Sequence, residues 1–213
     1  MRVITKLLFS LLCIGVSPSV PAKVSDGTEE PREAYITLTL DWASHFGTWG
    51  ELAFCPEGSF AHAFRLKVES ESAHDDTALN AIELSCAHRR QLGTKDIQER
   101  DSTITSSQGH WGDWKALKTC SDGFLTGLRM KSEEPQGHLH DDTAANDLEM
   151  QCAWGSEIHN GEGDHWGRWS SWSYCPQGWA ICGLQTRVEG TSANDDTALN
   201  DVKMFCCYLP QGQ

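Results

Sequence analysis

The sequence lacks the patterns of most common enzyme and membrane-protein classes. Its one long apolar run, residues 7–16, is about ten residues, whereas a membrane-spanning helix needs roughly 20. It contains no Gly-x-Ser-x-Gly motif, no glycine-rich phosphate loop and no Cys-x2-Cys pair, the patterns of serine hydrolases, nucleotide-binding proteins and zinc ribbons. No segment keeps a helical period, and no Asn-x-Ser/Thr site for N-glycosylation occurs. These absences argue against each of those classes and against a helical fold.

Positive charge is also scarce. The chain has 17 Lys and Arg against 30 Asp and Glu, a formal net charge of −13. A surface of this sign repels nucleic acid and anionic membranes. Such a surface tolerates neutral sugars or basic proteins as partners, and no nucleic acid is expected.

The N-terminus predicts a secretory leader. Arg2 and Lys6 precede the apolar run, and small residues near Ala22 supply a cleavage site. We expect residues 1–22 to be a signal peptide, 23–33 a flexible tail and 34–213 one domain without a membrane span. Removal of the leader removes Cys13 from the nine cysteines and leaves an even number, which is typical of four disulfides in a secreted, extracellular protein.

One sequence unit occurs three times. Trp-Gly, a cysteine near a glycine, an Asp-Asp-Thr-Ala motif and a second cysteine recur in the same order. The Trp-Gly pairs begin at Trp49, Trp111 and Trp166, and the acidic motifs begin at His74, His140 and Asn194. The units span about 34–87, 88–153 and 154–209.

The repeated cysteines predict the disulfides, because the two cysteines of each unit are 31 or 32 residues apart. The expected bonds are Cys55–Cys86, Cys120–Cys152, Cys175–Cys206 and, by elimination, Cys182–Cys207. The swapped arrangement of Cys175 with Cys207 and Cys182 with Cys206 remains open at this stage.

Alternating residues predict strands with one wet face. Phe64, Leu66 and Val68 are separated by Arg65 and Lys67, the period of a half-buried strand. Residues 82–86 alternate similarly, with Glu83 and Ser85 on the polar face, and the other units repeat both patterns. Each unit supplies about four short strands, too few to bury a face alone. We therefore expect an all-β fold in which three sheets close around a pseudo-threefold axis and share one core.

The repeated Trp-Gly-x-Trp, Cys-Pro-x-Gly and Asp-Asp-Thr-Ala-Leu-Asn motifs resemble those of the vitelline membrane outer layer protein I family over about residues 33–208. The resemblance implies a β-prism of three Greek-key sheets. It also implies a structural component of an extracellular coat, in the egg vitelline membrane outer layer or an epithelial secretion, associated with carbohydrate or glycoprotein. Alternatives are glycosyl transfer on N-acetylglucosamine oligomers and, by analogy of fold, a lectin-like defence protein. In unit one, Trp49-Gly-Glu-Leu52 lacks the second tryptophan of the motif.

The paired aspartates are the candidate acidic site. Asp76, Asp142 and Asp196 are candidate acids or bases for glycoside chemistry, and Asp75, Asp141 and Asp195 are candidate ligand contacts. Adjacent residues of a strand point to opposite faces, and a motif copied in every unit is more naturally architectural. The sequence therefore favours a turn-capping role for these aspartates and does not predict an enzyme.

Tryptophans are the candidate sugar contacts, because an indole ring offers an apolar face and one polar group. Trp111 and Trp166 are the ligand-binding candidates, although the sequence favours Trp-Gly-x-Trp as core filling beside the disulfide. Trp42, Trp154 and Trp179 lie outside the repeat and are predicted to be exposed. The histidines lack ligand spacing, so no metal or cofactor is expected, and the protein is expected to be a monomer.

Overall fold

The computed structural model describes residues 34–69, 79–88, 102–133, 145–190 and 199–210, without the side chain of Trp154. Within these ranges the chain forms short and long β-strands and one turn of 3₁₀ helix at Ala153–Gly155. The strands are β1 Ile36–Leu38, β2 Thr48–Trp49, β3 Ala53–Phe54, β4 Ser59–Val68, β5 Leu79–His88, β6 Ser102–Thr105, β7 Asp113–Trp114, β8 Lys118–Thr119, β9 Leu125–Ser132, β10 Ala145–Cys152, β11 Ile158–Asn160, β12 Arg168–Trp169, β13 Ser173–Tyr174, β14 Trp179–Val188 and β15 Leu199–Tyr208. None of the described helical segments has the length and apolar character that crossing a membrane requires.

The strands form three antiparallel five-stranded sheets. The first has the order β6-β5-β4-β7 with β8 on β4, and the second has β11-β10-β9-β12 with β13 on β9. The third has β1-β15-β14-β2 with β3 on β14. The two long central strands of each sheet are separated in the chain by the segment that carries the Asp-Asp motif, which lies outside the described residues.

The sheets are offset from the sequence units. The first and second sheets each take their two long strands from one unit and their three short strands from the next unit along the chain. The third sheet is completed by β1, β2 and β3 from the start of the domain, so that Leu38 pairs with Met204. The expected three sheets are present, but no unit completes a sheet alone, because its free sheet edge pairs with strands of its neighbour.

The inner faces of the three sheets supply one main core. Phe64, Leu128 and Leu184 occupy equivalent positions, opposite Leu84, Met150 and Met204, and all six are fully buried. The predicted alternation on β4 is confirmed, since Leu66 and Val68 are buried while Arg65 and Lys67 are partly exposed. The prediction for β5 is wrong on its outer face, where Glu83 and Ser85 are buried. Glu83 is buried because Arg65 lies across it in an ion pair.

The predicted number of disulfides, four, is confirmed. In the structure the bonds join Cys55 to Cys86, Cys120 to Cys152, Cys175 to Cys206 and Cys182 to Cys207. Three of them occupy equivalent places in the three sheets, and Cys182–Cys207 is an additional bond across the central strands of the third sheet.

Candidate carbohydrate-binding surface

Strand pairing aligns the three units differently from the Trp-Gly pattern of the sequence. Trp49, Trp114 and Trp169 are equivalent, because each pairs with a cationic residue near the end of a long strand: Arg187, Lys67 and Lys131 respectively. Two residues before each tryptophan lies a glycine with positive φ, at 79°, 84° and 85° for Gly47, Gly112 and Gly167. Unit one therefore keeps the second tryptophan of Trp-Gly-x-Trp as Trp49 and has Phe46 in place of the first. The prediction that its second tryptophan is missing is wrong.

This alignment defines a repeated surface feature, which we call the aromatic turn. Its three copies are His45-Phe46-Gly47, His110-Trp111-Gly112 and His165-Trp166-Gly167. Phe46 is 50% exposed, Trp111 53% and Trp166 49%. The interpretation of these tryptophans as core filling is therefore wrong. The glycine packs directly against the end of a long strand, leaving no room for a side chain there, and the ring before it lies at the surface.

A cation from the neighbouring long strand holds each aromatic turn. The Lys67 ammonium donates hydrogen bonds to the carbonyl oxygens of Gly109 and His110 at 3.1 and 2.9 Å. The Lys131 ammonium donates to the carbonyl of His165 at 3.3 Å, and Arg187 Nε donates to that of Gly47 at 3.1 Å. These bonds fix the backbone of the turns and do not involve the aromatic rings.

The last residue of the Asp-Asp-Thr-Ala-Leu-Asn motif also supports the turn. In the first sheet, the amide N–H of Gly109 donates to the Asn80 carbonyl at 2.7 Å and that of Trp111 donates to Asn80 Oδ1 at 3.2 Å. In the second sheet, the Asp164 amide donates to the carbonyl of Asn146 at 2.7 Å. Both asparagines are fully buried. The sequence predicts that the asparagine of the motif helps to cap a turn, and Asn80 does so by accepting the Trp111 amide.

The tryptophan two residues after the glycine of each aromatic turn covers the outer face of a sheet. The Arg65 guanidinium lies 4.9 Å from the ring centroid of Trp114 and forms an ion pair with Glu83 at 2.7 Å. In the second sheet, Arg129 lies 4.7 Å from Trp169 and pairs with Glu149 at 2.7 Å. The third sheet has no such ion pair at the equivalent positions, where the Lys203 ammonium lies 3.9 Å from the Trp49 ring. These tryptophans shield cations from water and are structural.

The second sheet alone, among the described residues, extends this stack with two more aromatic rings, of which Trp172 is partly buried and Tyr174 is exposed. The rings of Trp172 and Tyr174 are stacked, with centroids 5.6 Å apart and planes 10° apart, and Arg129 lies 5.1 Å from Trp172. Tyr174 is 49% exposed and lies over Gly127, where a Cβ would come within 2.4 Å of the tyrosine ring. We call Trp172 and Tyr174, with Arg129 behind them, the aromatic platform. Strand register places Leu52 and Leu117 at the positions equivalent to Trp172.

The second sheet also contains a buried carboxylate, Asp147. Asp147 accepts hydrogen bonds from Asn160 Nδ2 at 2.6 Å, from the Gly163 amide at 3.0 Å and from the Leu148 amide at 2.8 Å. Burial raises the pKa of Asp147 from its ordinary value of 3.8, against the opposing effect of the bond from Asn160. With both oxygens accepting bonds from its own chain, this carboxylate holds the segment after β11 in place and does not face a ligand.

A pH titration of stability checks this assignment. The folded state binds the proton of Asp147 more tightly than the unfolded chain, so the contribution of Asp147 to stability is greatest below pH 3.8 and falls as pH rises through the folded pKa. The unfolding free energy of the wild type minus that of Asp147→Asn should therefore be larger at about pH 3 than at about pH 7. The exposed Asp113→Asn is the control, and a difference that grows with pH would contradict the assignment.

The sequence-predicted acidic residues are not placed by the structure. Asp75, Asp76, Asp141, Asp142, Asp195 and Asp196 lie outside the described residues, so their roles as acid, base or ligand contact stay predictions. Within the described part of the chain, the one group with possible metal ligands is Cys152, Glu157 and His159. Cys152 is bonded to Cys120 and offers no thiolate, while Glu157 accepts bonds from the Ser121 amide at 2.9 Å and from His159 at 3.1 Å.

Two of the three tryptophans predicted to be exposed, Trp42 and Trp179, are partly buried. Trp42 is partly buried and has the guanidinium of Arg168 at 3.5 Å from its ring centroid. Trp179 is partly buried and forms one wall of an apolar cleft of about 240 Å³, together with Phe124 and Leu209. The side chain of Trp154 lies outside the described part.

Comparison with known sequences gives one family. A family model described as vitelline membrane outer layer protein I (VOMI) matches residues 36–209. The vitelline membrane outer layer protein 1 homolog of Homo sapiens is 42% identical over 169 residues, which are 76% of this chain and 79% of the human protein. The homolog of Mus musculus is 37% identical over 186 residues, 84% of this chain and 86% of the mouse protein.

Solved structures share the architecture. Calystegia sepium agglutinin superimposes with a TM-score of 0.51 and 14% identity, covering 82% of this chain and 97% of the agglutinin. The artocarpin–mannotriose complex gives a TM-score of 0.50 and 12% identity, covering 83% of this chain and 99% of artocarpin. At such identities the likeness shows the fold alone, and it confirms the predicted all-β arrangement of three curled sheets, that of the β-prism lectins.

Proposed function

This chain belongs to the vitelline membrane outer layer protein I family, and on that premise we propose that it is a secreted structural component of an extracellular coat. The coat is the egg vitelline membrane outer layer or an epithelial secretion, and the protein associates there with glycans or glycoproteins. Four disulfides support an oxidising, extracellular location. The aromatic platform is the observation that carries the association with carbohydrate.

The platform has the chemistry of a sugar contact. A pyranose ring has an apolar C–H face, which packs on an aromatic ring, and a rim of hydroxyls, which stays in water. Tyr174 stacks on Trp172, which also has Arg129 over its ring, and Tyr174 is the more exposed of the two aromatic residues. Rings held in this way lose little conformational entropy when a ligand packs on them. The acidic surface disfavours anionic ligands and tolerates neutral sugars.

The architecture is compatible with this function and does not establish it. Solved structures of the same fold include artocarpin bound to mannotriose and the Calsepa lectin bound to a biantennary N-glycan. A shared fold leaves the ligand of this chain open, because function depends on the residues of the site. The proposal therefore depends on the exposed aromatic side chains of this protein.

The test replaces both rings with the residues that another sheet of this protein has at the equivalent positions. Trp172→Leu with Tyr174→Thr gives the second sheet the residues that the first sheet has at the equivalent positions, Leu117 and Thr119. We expect the variant to fold and to bind neutral glycans at least about tenfold more weakly, a loss of about 1.4 kcal/mol, because the stacking surface is gone. The measurement is a glycan array on the oxidised protein, followed by titration with the best ligand.

The matched control is Leu117→Ala, which removes exposed apolar surface from the first sheet. It should bind as the wild type does. An array on which the wild type binds no glycan above background would contradict the association with carbohydrate. Equal binding by the wild type and the double variant would exclude the platform as its site.

The sugar-transferring alternative depends on Asp76, Asp142 and Asp196. A turnover assay with N-acetylglucosamine oligomers, run on the wild type and on each Asp→Asn variant, decides it. Product formed by the wild type and lost in one variant would replace the structural proposal with an enzymatic one.

A further inference from the structure

The three aromatic turns present a pattern that folding does not require. The backbone of each turn is fixed by a glycine at positive φ and by hydrogen bonds from a lysine or arginine. The ring of Phe46, Trp111 or Trp166 is half exposed in every copy. Exposing large aromatic side chains gains nothing from the hydrophobic effect. Their recurrence in all three units therefore points to a contact outside the chain.

The distribution of the rings argues for a small contact at each turn. Each turn leads into a two-residue strand of a different sheet: β2 in the third, β7 in the first and β12 in the second. Each turn presents one half-exposed ring, an apolar surface of the size that one pyranose ring can cover.

The groups beside the rings restrict the charge of that ligand. A histidine precedes each ring, and in the second sheet His165 contacts the Trp166 ring at a centroid distance of 4.3 Å. Its Nδ1 lies 2.8 Å from a carboxylate oxygen of Asp164. An imidazole edge can bond a sugar hydroxyl, whereas the nearby carboxylate and the net charge of −13 disfavour an anionic group.

We propose that the three aromatic turns are equivalent contact sites for neutral pyranose rings, so that one domain holds three glycan branches. This inference deepens the proposed function and rests on it for the class of ligand. It adds valency, since three weak sites on different sheets bind a polyvalent glycan far more tightly than one site does. A trivalent domain can connect glycan chains, as a coat component must.

The experiment compares binding to monovalent and polyvalent sugars. The probes are albumins that carry many copies of mannose, galactose or N-acetylglucosamine, a sialylated albumin, and the corresponding free sugars. The variant is the triple substitution Phe46→Ser, Trp111→Ser and Trp166→Ser. The matched control is Leu52→Ser, Leu117→Ser and Ile158→Ser, which removes residues of similar exposure outside the turns. Thermal unfolding and sedimentation check the fold and oligomeric state of each.

We expect the wild type to bind and precipitate a neutral glycosylated albumin, and the control to do the same. The triple variant should bind it about 100-fold more weakly or worse and lose precipitation, and each single substitution should keep precipitation through the two remaining sites. A triple variant that precipitates the probe normally, while Trp172→Leu/Tyr174→Thr loses binding, would overturn this inference and leave the proposed function standing. Three other results would also overturn it. These are an equal loss of binding in the control variant, a change of oligomeric state in the triple variant without loss of glycan binding, and a preference of the wild type for the sialylated probe. Absence of any glycan binding by the wild type would contradict both.

Discussion

Replacing Gly112 with alanine is expected to destabilise the folded protein by about 2–5 kcal/mol. Gly112 has φ of +84°, and a Cβ there would lie 2.4 Å from the carbonyl carbon of Val68 and 2.5 Å from the amide nitrogen of Glu69. An L-residue at such a φ costs about 1–2 kcal/mol, and overpacking against backbone costs about 1–3 kcal/mol more. The measurement is urea unfolding of the oxidised protein.

Gly178→Ala separates the two contributions. Gly178 has φ of +81°, but the nearest atom to a Cβ there is in the Tyr208 ring, 4.0 Å away. The cost should then be only the roughly 1–2 kcal/mol of the backbone conformation. Gly47 and Gly167 meet the backbone as Gly112 does, so alanine at either should repeat the larger loss. Equal losses for Gly112→Ala and Gly178→Ala would show that the packing of the turn on the long strand is not what stabilises it.

Loss of a unit disulfide is the second large expected effect. Cys120→Ala with Cys152→Ala opens a 32-residue separation and should cost about 3–4 kcal/mol, because the unfolded chain regains the entropy that the bond removed. That is a large part of the roughly 5–15 kcal/mol by which domains are stable, so the secreted yield should also fall. Equilibrium unfolding at constant temperature measures the loss.

Removal of the additional disulfide, Cys182–Cys207, gives a second loss of stability to compare with the first. Cys182 and Cys207 are 25 residues apart, and the logarithmic dependence on loop length predicts nearly the same cost for their double alanine variant. A loss below about 1 kcal/mol for Cys120/Cys152 would contradict the entropic account. Such a result would mean that the unfolded chain stays compact without that bond.

The candidate surface was only partly accessible to sequence reasoning. Residue type makes Trp111 and Trp166 candidate ligand contacts, while the sequence favours a core position for them. Their exposure depends on a backbone turn that packs a glycine against Val68 or Ser132, two residues far from the turns in sequence. Trp172 and Tyr174 form a platform only because β13 pairs with β9.

The class of fold could be predicted from the sequence. Three copies of one unit, residues alternating with period two and an even set of cysteines predict an all-β domain of three sheets with four disulfides. These features can be read from short segments or from residue counts. A strand must bury one face, which gives the alternation, and the cysteines of a secreted protein pair, which gives the even number.

Two features depend on the tertiary structure: which strands share a sheet, and which aromatic residue of unit one is equivalent to those of the other two units. The free edge of each unit pairs with the next unit, and β1 closes the third sheet from the start of the domain. Phe46 lies where the other two units have a tryptophan. The Trp49-Gly50 pair of unit one therefore lies three residues after the position equivalent to Trp111-Gly112 and Trp166-Gly167. Glu83 is buried because Arg65 and Trp114 meet above it. Such pairings depend on groups distant in the chain, and the free energy of burying a charge depends on what covers it.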